Sequence, residues 1–305
     1  MGSPFFAQNA LRHEGKPDPN NPAHGRPTQM APPSRPCPSI PPLIKPPAMA
    51  DGSPQAGHRN PSPGPGITAV IPTYNEAENI GRLTSALLAL PLDLRVLIVD
   101  DASPDGTGAI ADQLAETRPG RVRVIHRTGE RGLRSAYLAG FREAMRDGAD
   151  AIAQMDADFS HDPAALVPMA DALKGADLVI GSRYVPGGSV DQPWPLWRKW
   201  LSRFGNAYAR SILRLPIRDC TTGYRLWSRR ALERMPLERL GASGYVFLVE
   251  MAYMAHCLGC RIAQVPIYFA DRRFGKSKMS LRIQIEAAIR VWQVKFAYRD
   301  LKRKA

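Results

Sequence analysis

The sequence contains no run of about 18 or more apolar residues, the length a bilayer-spanning helix needs, so no transmembrane helix is predicted. Nothing near Met1 joins a basic start to an apolar run, and no signal peptide is expected. Cysteine is scarce, with only Cys37, Cys220, Cys257 and Cys260 in 305 residues. Cys257 and Cys260 form a C-x-x-C, but no second pair exists to complete a zinc site. The pattern fits buried thiols in a reducing, cytoplasmic setting. Neither G-x-G-x-x-G nor G-x-x-x-x-G-K-[ST] occurs in its expected strand–helix context, which excludes a dinucleotide-binding oxidoreductase and a P-loop enzyme.

Aromatic and β-branched residues are nearly absent from residues 1–65, which hold 17 of the 29 prolines. That composition cannot build a core, so a disordered Pro-rich tail is predicted over residues 1–65. The remainder is long enough for one α/β domain, placed at residues 66–280, followed by an amphipathic basic helix at 281–305. The formal net charge is +13 and the pI near 9.9, which points to phosphate-bearing partners. From Arg272 onward, eleven Lys and Arg face only Glu286 and Asp300.

Short apolar runs alternate with helical patterns along the chain. Strands are predicted at Ile67–Ile71, Val96–Val99, Val122–Ile125, Ala151–Met155 and Leu178–Ile180, with a further strand over Ile262–Phe269. Helices are predicted at Glu76–Leu90, Thr107–Thr117, Gly132–Met145 and Pro163–Leu173. This alternation predicts a mainly parallel sheet with helices on both faces, whose ligands bind outside the carboxyl ends of the strands. The polar clusters fall at those ends: Tyr74, Asn75 and Glu76; Asp100 and Asp101; Asp156 and Asp158; Ser182 and Arg183. An Asp-x-Asp just beyond a strand can turn both carboxylates to one cavity, where a hard cation takes them together with substrate phosphates. A nucleotide-sugar site fits this set.

Several segments carry a family resemblance: Pro72-Thr-Tyr-Asn-Glu76, Asp100-Asp101-Ala-Ser-Pro-Asp-Gly-Thr107, Asp156-Ala-Asp158 and Gly181-Ser-Arg-Tyr-Val185. It continues through Trp194-Pro-Leu-Trp-Arg198, Asp219-Cys-Thr-Thr-Gly-Tyr-Arg225 and Arg272-Arg-Phe-Gly-Lys-Ser-Lys278. In this order they resemble family-2 glycosyltransferases of GT-A (Rossmann-like) fold, most closely dolichol-phosphate or polyprenol-phosphate mannose synthases. The resemblance implies inverting transfer of mannose from GDP-mannose to a polyprenyl monophosphate. It implies that Pro72, Tyr74, Glu76, Val99 and Asp101 hold the nucleoside. Asp156, Ala157 and Asp158 would meet the diphosphate, with Asp156 and Asp158 holding Mg²⁺ or Mn²⁺. Arg272 and Lys278 would close over the nucleotide phosphates, and Arg183, Arg198 and Ser202 would bind the acceptor phosphate. Two departures stand out. Ser160 occupies the place of a Gln that adds a metal ligand in some relatives, and Arg131-Gly-Leu-Arg134-Ser-Ala carries Arg where a small Gly is usual.

An anionic lipid phosphate is already a nucleophile, so the site needs cations rather than a catalytic base. His161 is therefore read as a supporting or surface residue. Residues 194–213 interleave Trp194, Trp197, Trp200, Leu201, Phe204, Tyr208 and Ile212 with Arg198, Lys199, Arg203 and Arg210. Leu281, Ile285, Ile289, Trp292 and Phe296 mark a second stripe before the basic Lys302-Arg-Lys304. Both patterns predict a peripheral enzyme on the cytoplasmic face of the membrane, with an integral-membrane partner as an expectation by analogy. UDP-glucose remains an alternative donor. A nucleic-acid-binding protein is the alternative of another class, disfavoured because no binding signature accompanies the charge.

Overall fold

The computed structural model describes residues 66–129, 131–191, 196–270 and 281–301. The Pro-rich segment 1–65 lies outside the described residues, as do Arg272, Lys278 and the side chain of Arg198. The strands and helices begin β1 (Ile67–Thr73), α1 (Ala77–Leu88), β2 (Leu94–Asp100), α2 (Thr107–Thr117), β3 (Val122–His126) and α3 (Leu133–Arg146). They continue β4 (Ala151–Gln154), α4 (Leu166–Leu173), β5 (Leu178–Ser182), β6 (Ser189–Val190), α5 (Leu196–Leu213), β7 (Arg225–Ser228) and α6 (Arg229–Arg234). The last are α7 (Gly244–Cys257), β8 (Ile262–Pro266), β9 (Tyr268–Phe269) and α8 (Leu281–Ala297).

Seven strands form the main sheet in the order β3-β2-β1-β4-β7-β5-β8. All run parallel except β7, which enters between β4 and β5 antiparallel to both. The side-chain alternation of a strand explains the two cores. Val70, Leu97, Val99 and Ile152 point to the face covered by α3 and α7, whereas Ala69, Ile71, Val96, Ile98 and Ala153 point to the face covered by α1, α2 and α4. Helix α3 lies so close to the sheet that a Cβ on Gly140 would sit 2.3 Å from Val70 Cγ1. The sheet edge formed by the carboxyl ends of β1, β2, β4 and β5 is thereby held between two helical layers.

Two differences from the sequence reading concern strands. The four-residue β7 lies inside the segment Asp219–Arg225 and its sequel, and its buried Arg225 breaks the apolar signature of a central strand. The expected single strand Ile262–Phe269 is two, because Pro266 offers no N–H to continue the ladder. Beyond it Ile267 donates to the Ser182 carbonyl at 3.1 Å, and β9 pairs with β6 in a separate two-stranded sheet.

Helices α5 and α8 pack on one another, with the Tyr208 hydroxyl donating to the Ala288 carbonyl at 3.2 Å and Trp292 Nε1 donating to Tyr208 Oη at 3.0 Å. Around α8, burial falls on Val291, Val294 and, just past its end, Tyr298. Ile289, Trp292 and Phe296 of the stripe read from the sequence lie on the outward face instead. On α5, Leu196, Trp197, Trp200 and Phe204 are likewise outward, each at least 66% exposed. Among the described residues no helix is long and apolar enough to cross a membrane.

Candidate active site

The loops after β1 and β2 are sewn together by the polar residues of their own sequences. Asp100 accepts from Thr73 Oγ1 at 3.0 Å and from Ser103 Oγ at 2.6 Å, and Ser103 Oγ in turn accepts the Asn75 N–H at 3.1 Å. Asp105 accepts the Ala77 N–H at 3.1 Å, satisfying a free donor at the start of α1, while Thr107 Oγ1 accepts the Glu76 N–H at 2.9 Å. Burial opposes the Asp105 charge, but hydrogen bonds from Thr107 and the Ala77 and Thr107 amides hold its carboxyl below the usual range. Asn75 adopts φ 61°, which turns the chain sharply between β1 and α1 and leaves Tyr74 48% exposed at the rim.

These loops bring the expected nucleoside residues to one edge. Pro72 pairs in register with Val99, and Thr73 with Asp100. The Val99 side chain is fully buried beneath α3, so it reaches a ligand only through its backbone. Asp101 is held by Arg127 and by the Gly132 N–H at 2.9 Å. Arg131 was absent from the expected set, yet its guanidinium lies 5.1 Å over the Tyr74 ring and donates to Tyr74 Oη at 3.3 Å. Arg134 donates to the Leu240 carbonyl and ties α3 to the loop preceding α7.

Beyond β4 the chain enters the acidic motif. Phe159 takes φ 58°, a turn that lets the Ser160 amide at 3.0 Å and the Ser160 hydroxyl at 2.6 Å donate to Asp158 Oδ1. Behind Asp156, the Tyr137 hydroxyl donates to Oδ1 at 3.4 Å. Burial first, then the charge of Asp156, push that phenol well above its ordinary pKa, so it remains a neutral donor. Above Asp156 is Gly223, where a Cβ would stand 3.5 Å from each carboxylate oxygen; the glycine keeps that side open. No group of three or more acidic, His or Cys residues suited to a metal occurs among the described residues. Two carboxylates on one turn beyond β4, Asp156 partly exposed beside Gly223 and Asp158 buried, nevertheless match a hard cation that completes its oxygen shell with phosphate and water, and the residues fit Mg²⁺ or Mn²⁺.

His161 is fully buried rather than at the surface. Its Nδ1 accepts the Asp156 N–H at 3.2 Å, which places the proton of the neutral ring on Nε2. Burial holds its pKa below the usual value, against the pull of Asp156 and Asp158. The ring stacks on Tyr224 at 4.9 Å and meets Phe269 edge-on at 5.5 Å, and Arg183 also lies against Phe269, its guanidinium carbon 5.2 Å from the ring centre. His161 and Phe269 thus form the wall that joins the acidic motif to Arg183. Ala270 also donates to the Ser160 carbonyl at 3.2 Å.

Arg183 is clamped rather than loose. Its Nε donates to Asp219 Oδ2 at 2.8 Å, and one terminal nitrogen donates to Asp219 Oδ1 at 2.9 Å and to Thr221 Oγ1 at 2.7 Å. Burial opposes both charges, but each holds the other: Asp219 stays below the usual carboxylate range and Arg183 above its ordinary value. The second terminal nitrogen makes no hydrogen bond among the described residues. The next residue, Tyr184, sets its hydroxyl 2.8 Å from Ser202 Oγ on α5. Among the described residues Cys220, Cys257 and Cys260 are buried and form no disulfide, and burial pushes Cys220 up to about 12, which removes it as a nucleophile.

Residues 68–235 match glycosyl transferase family 2. The chain is 46% identical over 212 residues to a polyprenol monophosphomannose synthase of Mycolicibacterium smegmatis, covering 69% of this chain and 80% of that one. It is 44% identical over 225 residues to an undecaprenyl-phosphate mannosyltransferase of Micrococcus luteus, covering 74% and 92%. In architecture it matches the glucosyl-3-phosphoglycerate synthase of Mycobacterium tuberculosis solved with Mn²⁺, UDP and glucosyl-3-phosphoglycerate. That match has TM-score 0.53 at 17% identity, over 80% of this chain and 86% of the other. The mostly parallel sheet is the GT-A arrangement, and with the family match and these relatives it establishes that the chain belongs to glycosyl transferase family 2.

Proposed function

We propose that the enzyme transfers mannose from GDP-mannose to a polyprenyl monophosphate with inversion at the anomeric carbon, giving a lipid-linked mannosyl phosphate. The observation that carries this is the joining of Asp156 and Asp158 to Arg183 through one wall, His161 and Phe269, at the carboxyl edge of the sheet. Diphosphate and acceptor phosphate would then occupy neighbouring positions on either side of the sugar. The two bacterial relatives, named as mannosyl-transferring enzymes of polyprenol and undecaprenyl phosphate, support the acceptor and the sugar.

Chemically, an oxygen of the lipid phosphate attacks the anomeric carbon as the bond from that carbon to the diphosphate breaks, and GDP leaves. The nucleophile is already ionised, and no side chain needs to take its proton. Asp156 and Asp158 would hold a divalent cation, which would supply Lewis-acid stabilisation of the departing diphosphate. Tyr137 and Ser160 hold the two carboxylates in place by donating to them. The Arg183 guanidinium would bind the acceptor phosphate, while Asp219 and Thr221 fix the plane of its fork. Tyr74 with Arg131 and Glu76 with Asp101 frame the nucleoside, and Arg198, Ser202, Arg272 and Lys278 complete the phosphate contacts. Contact with the cytoplasmic face of the membrane is through the outward aromatic faces of α5 and α8.

The test is transfer to an organic-soluble product from GDP-mannose against UDP-glucose, with short-chain polyprenyl phosphate as acceptor. Mannosyl product at least a hundredfold above glucosyl product is expected. Preferential glucose transfer would keep the chemistry and overturn the donor.

A further inference from the structure

Strand β7 opens with an arginine where the middle of a sheet calls for an apolar side chain. Arg225 is fully buried, in register with Gln154 on β4 and Ile180 on β5. Among the described residues it forms no ion pair, and its Nη1 has no acceptor. Burial holds the guanidinium at about 10, below its ordinary 12.5, so the folded chain carries this charge at a cost. A well-packed apolar residue of similar volume would fill the place more cheaply. Positions that break such a rule are where function is expected.

What Arg225 holds is its own turn. The side chain doubles back on Asp219–Tyr224: Nε donates to the Thr222 carbonyl at 3.1 Å and Nη2 to the Cys220 carbonyl at 3.0 Å. The residues on either side of those two carry the site. Asp219 and Thr221 clamp Arg183, and a Cβ on Gly223 would stand 3.5 Å from either oxygen of Asp156. A planar guanidinium with donors at fixed angles can hold two carbonyls at once, which the single flexible ammonium of lysine does poorly. The loops that frame the nucleoside are tied to one another through Asp100 and Asp105, without Arg225.

We propose that Arg225 is a positioning residue for transfer: without touching substrate, its fork fixes the turn that sets the Arg183 clamp and the opening beside Asp156. The role in transfer rests on the reaction proposed above, whereas the hold on the turn does not.

The experiment compares the full chain with Arg225→Met and Arg225→Lys. It reads the thermal midpoint, GDP affinity, amide hydrogen exchange and the kinetics of transfer to short-chain polyprenyl phosphate. Arg225→Met, relieved of the buried charge, is expected to melt at or above the wild-type midpoint. Its kcat/KM for the acceptor should nevertheless fall about a hundredfold, the scale of a small misplacement of reacting groups. GDP affinity should stay within about threefold of wild type, since the nucleoside loops are built separately. Arg225→Lys should lose rate as well, because it keeps the charge but not the fork. Exchange of the Cys220 and Thr221 amides should quicken in both variants, while that of Asp100–Asp105 stays as in wild type. Wild-type transfer by Arg225→Met would overturn the proposal. So would an Arg225→Met chain that does not fold, or one whose midpoint, GDP affinity and rate fall together, the mark of a purely structural residue. If wild type transfers no sugar, quickened exchange at the turn would support the fork and only the reaction would fall. Unchanged exchange at the turn would overturn the fork whatever the reaction.

Discussion

Both oxygens of the fully buried Asp219 face Arg183, and this pair decides how the acceptor side of the site behaves. Removing one partner of a buried pair leaves the other charged and unpaired, at a cost of about 3–5 kcal/mol. Asp219→Asn is expected to lower thermal stability by an amount in that range and to slow transfer at least tenfold, since the fork loses its plane; calorimetry and initial rates on the same preparation check both. Sequence reasoning placed Arg183 correctly at a strand end but could not show its clamp, because Asp219 is 36 residues away and belongs to a motif legible only as a whole. The same limit applied to Tyr137 and Arg131: nothing in the periodicity of α3 or its preceding loop says that one backs Asp156 and the other covers Tyr74. A separate prediction concerns Asp177, which accepts the Arg261 amide at 2.9 Å and Arg230 at 2.8 Å. Burial opposes its charge, but these bonds hold its pKa at about 2, below the ordinary 3.8. Its contribution to stability is therefore fully present above about pH 4 and is lost as pH falls toward 2. Acid unfolding of Asp177→Asn should be flatter than wild type across that window, and unchanged slopes would refute the assignment.

At the scale of elements, glycines set how closely the parts approach. A methyl at position 188 would lie 2.5 Å from the Ser182 carbonyl and 2.9 Å from the Arg183 carbonyl, so β5 and the turn after it cannot keep their places beside a side chain. Gly188→Ala is expected to retain the fold while reducing transfer at least tenfold by displacing Arg183. Gly140→Val overfills the α3–sheet contact and should destabilise the protein by about 1–3 kcal/mol or more; denaturant midpoints check this. The parallel strands and the helices between them were readable because their apolar runs and periods were long enough. Strand β7 was not, because it is four residues long and opens with a buried arginine whose pKa burial lowers to about 10. On α8, apolar residues occupy both the packed and the outward stripe, so the pattern alone could not say which one meets α5 and α7.

Across the whole molecule, the formal charge of +13 is distributed to a purpose only partly catalytic. Arginines clamp Asp219, Asp101 and Asp177, while others line a cavity beside α5. The acidic motif follows β4 and the arginine fork follows β5, and the parallel sheet, with β7 inserted between those strands, brings them to one edge. On the function proposed here, Asp156 and Asp158 hold a divalent cation on which sugar transfer depends. Its most direct test is the rate of mannosyl transfer in EDTA, then through a titration of Mg²⁺ and of Mn²⁺, for wild type, Asp156→Asn and Asp158→Asn. Wild type is expected to lose activity in EDTA and to recover it with metal, and either folded variant to lose at least a thousandfold at saturating metal. Transfer that persists in EDTA, or a folded variant that keeps wild-type activity, would contradict it.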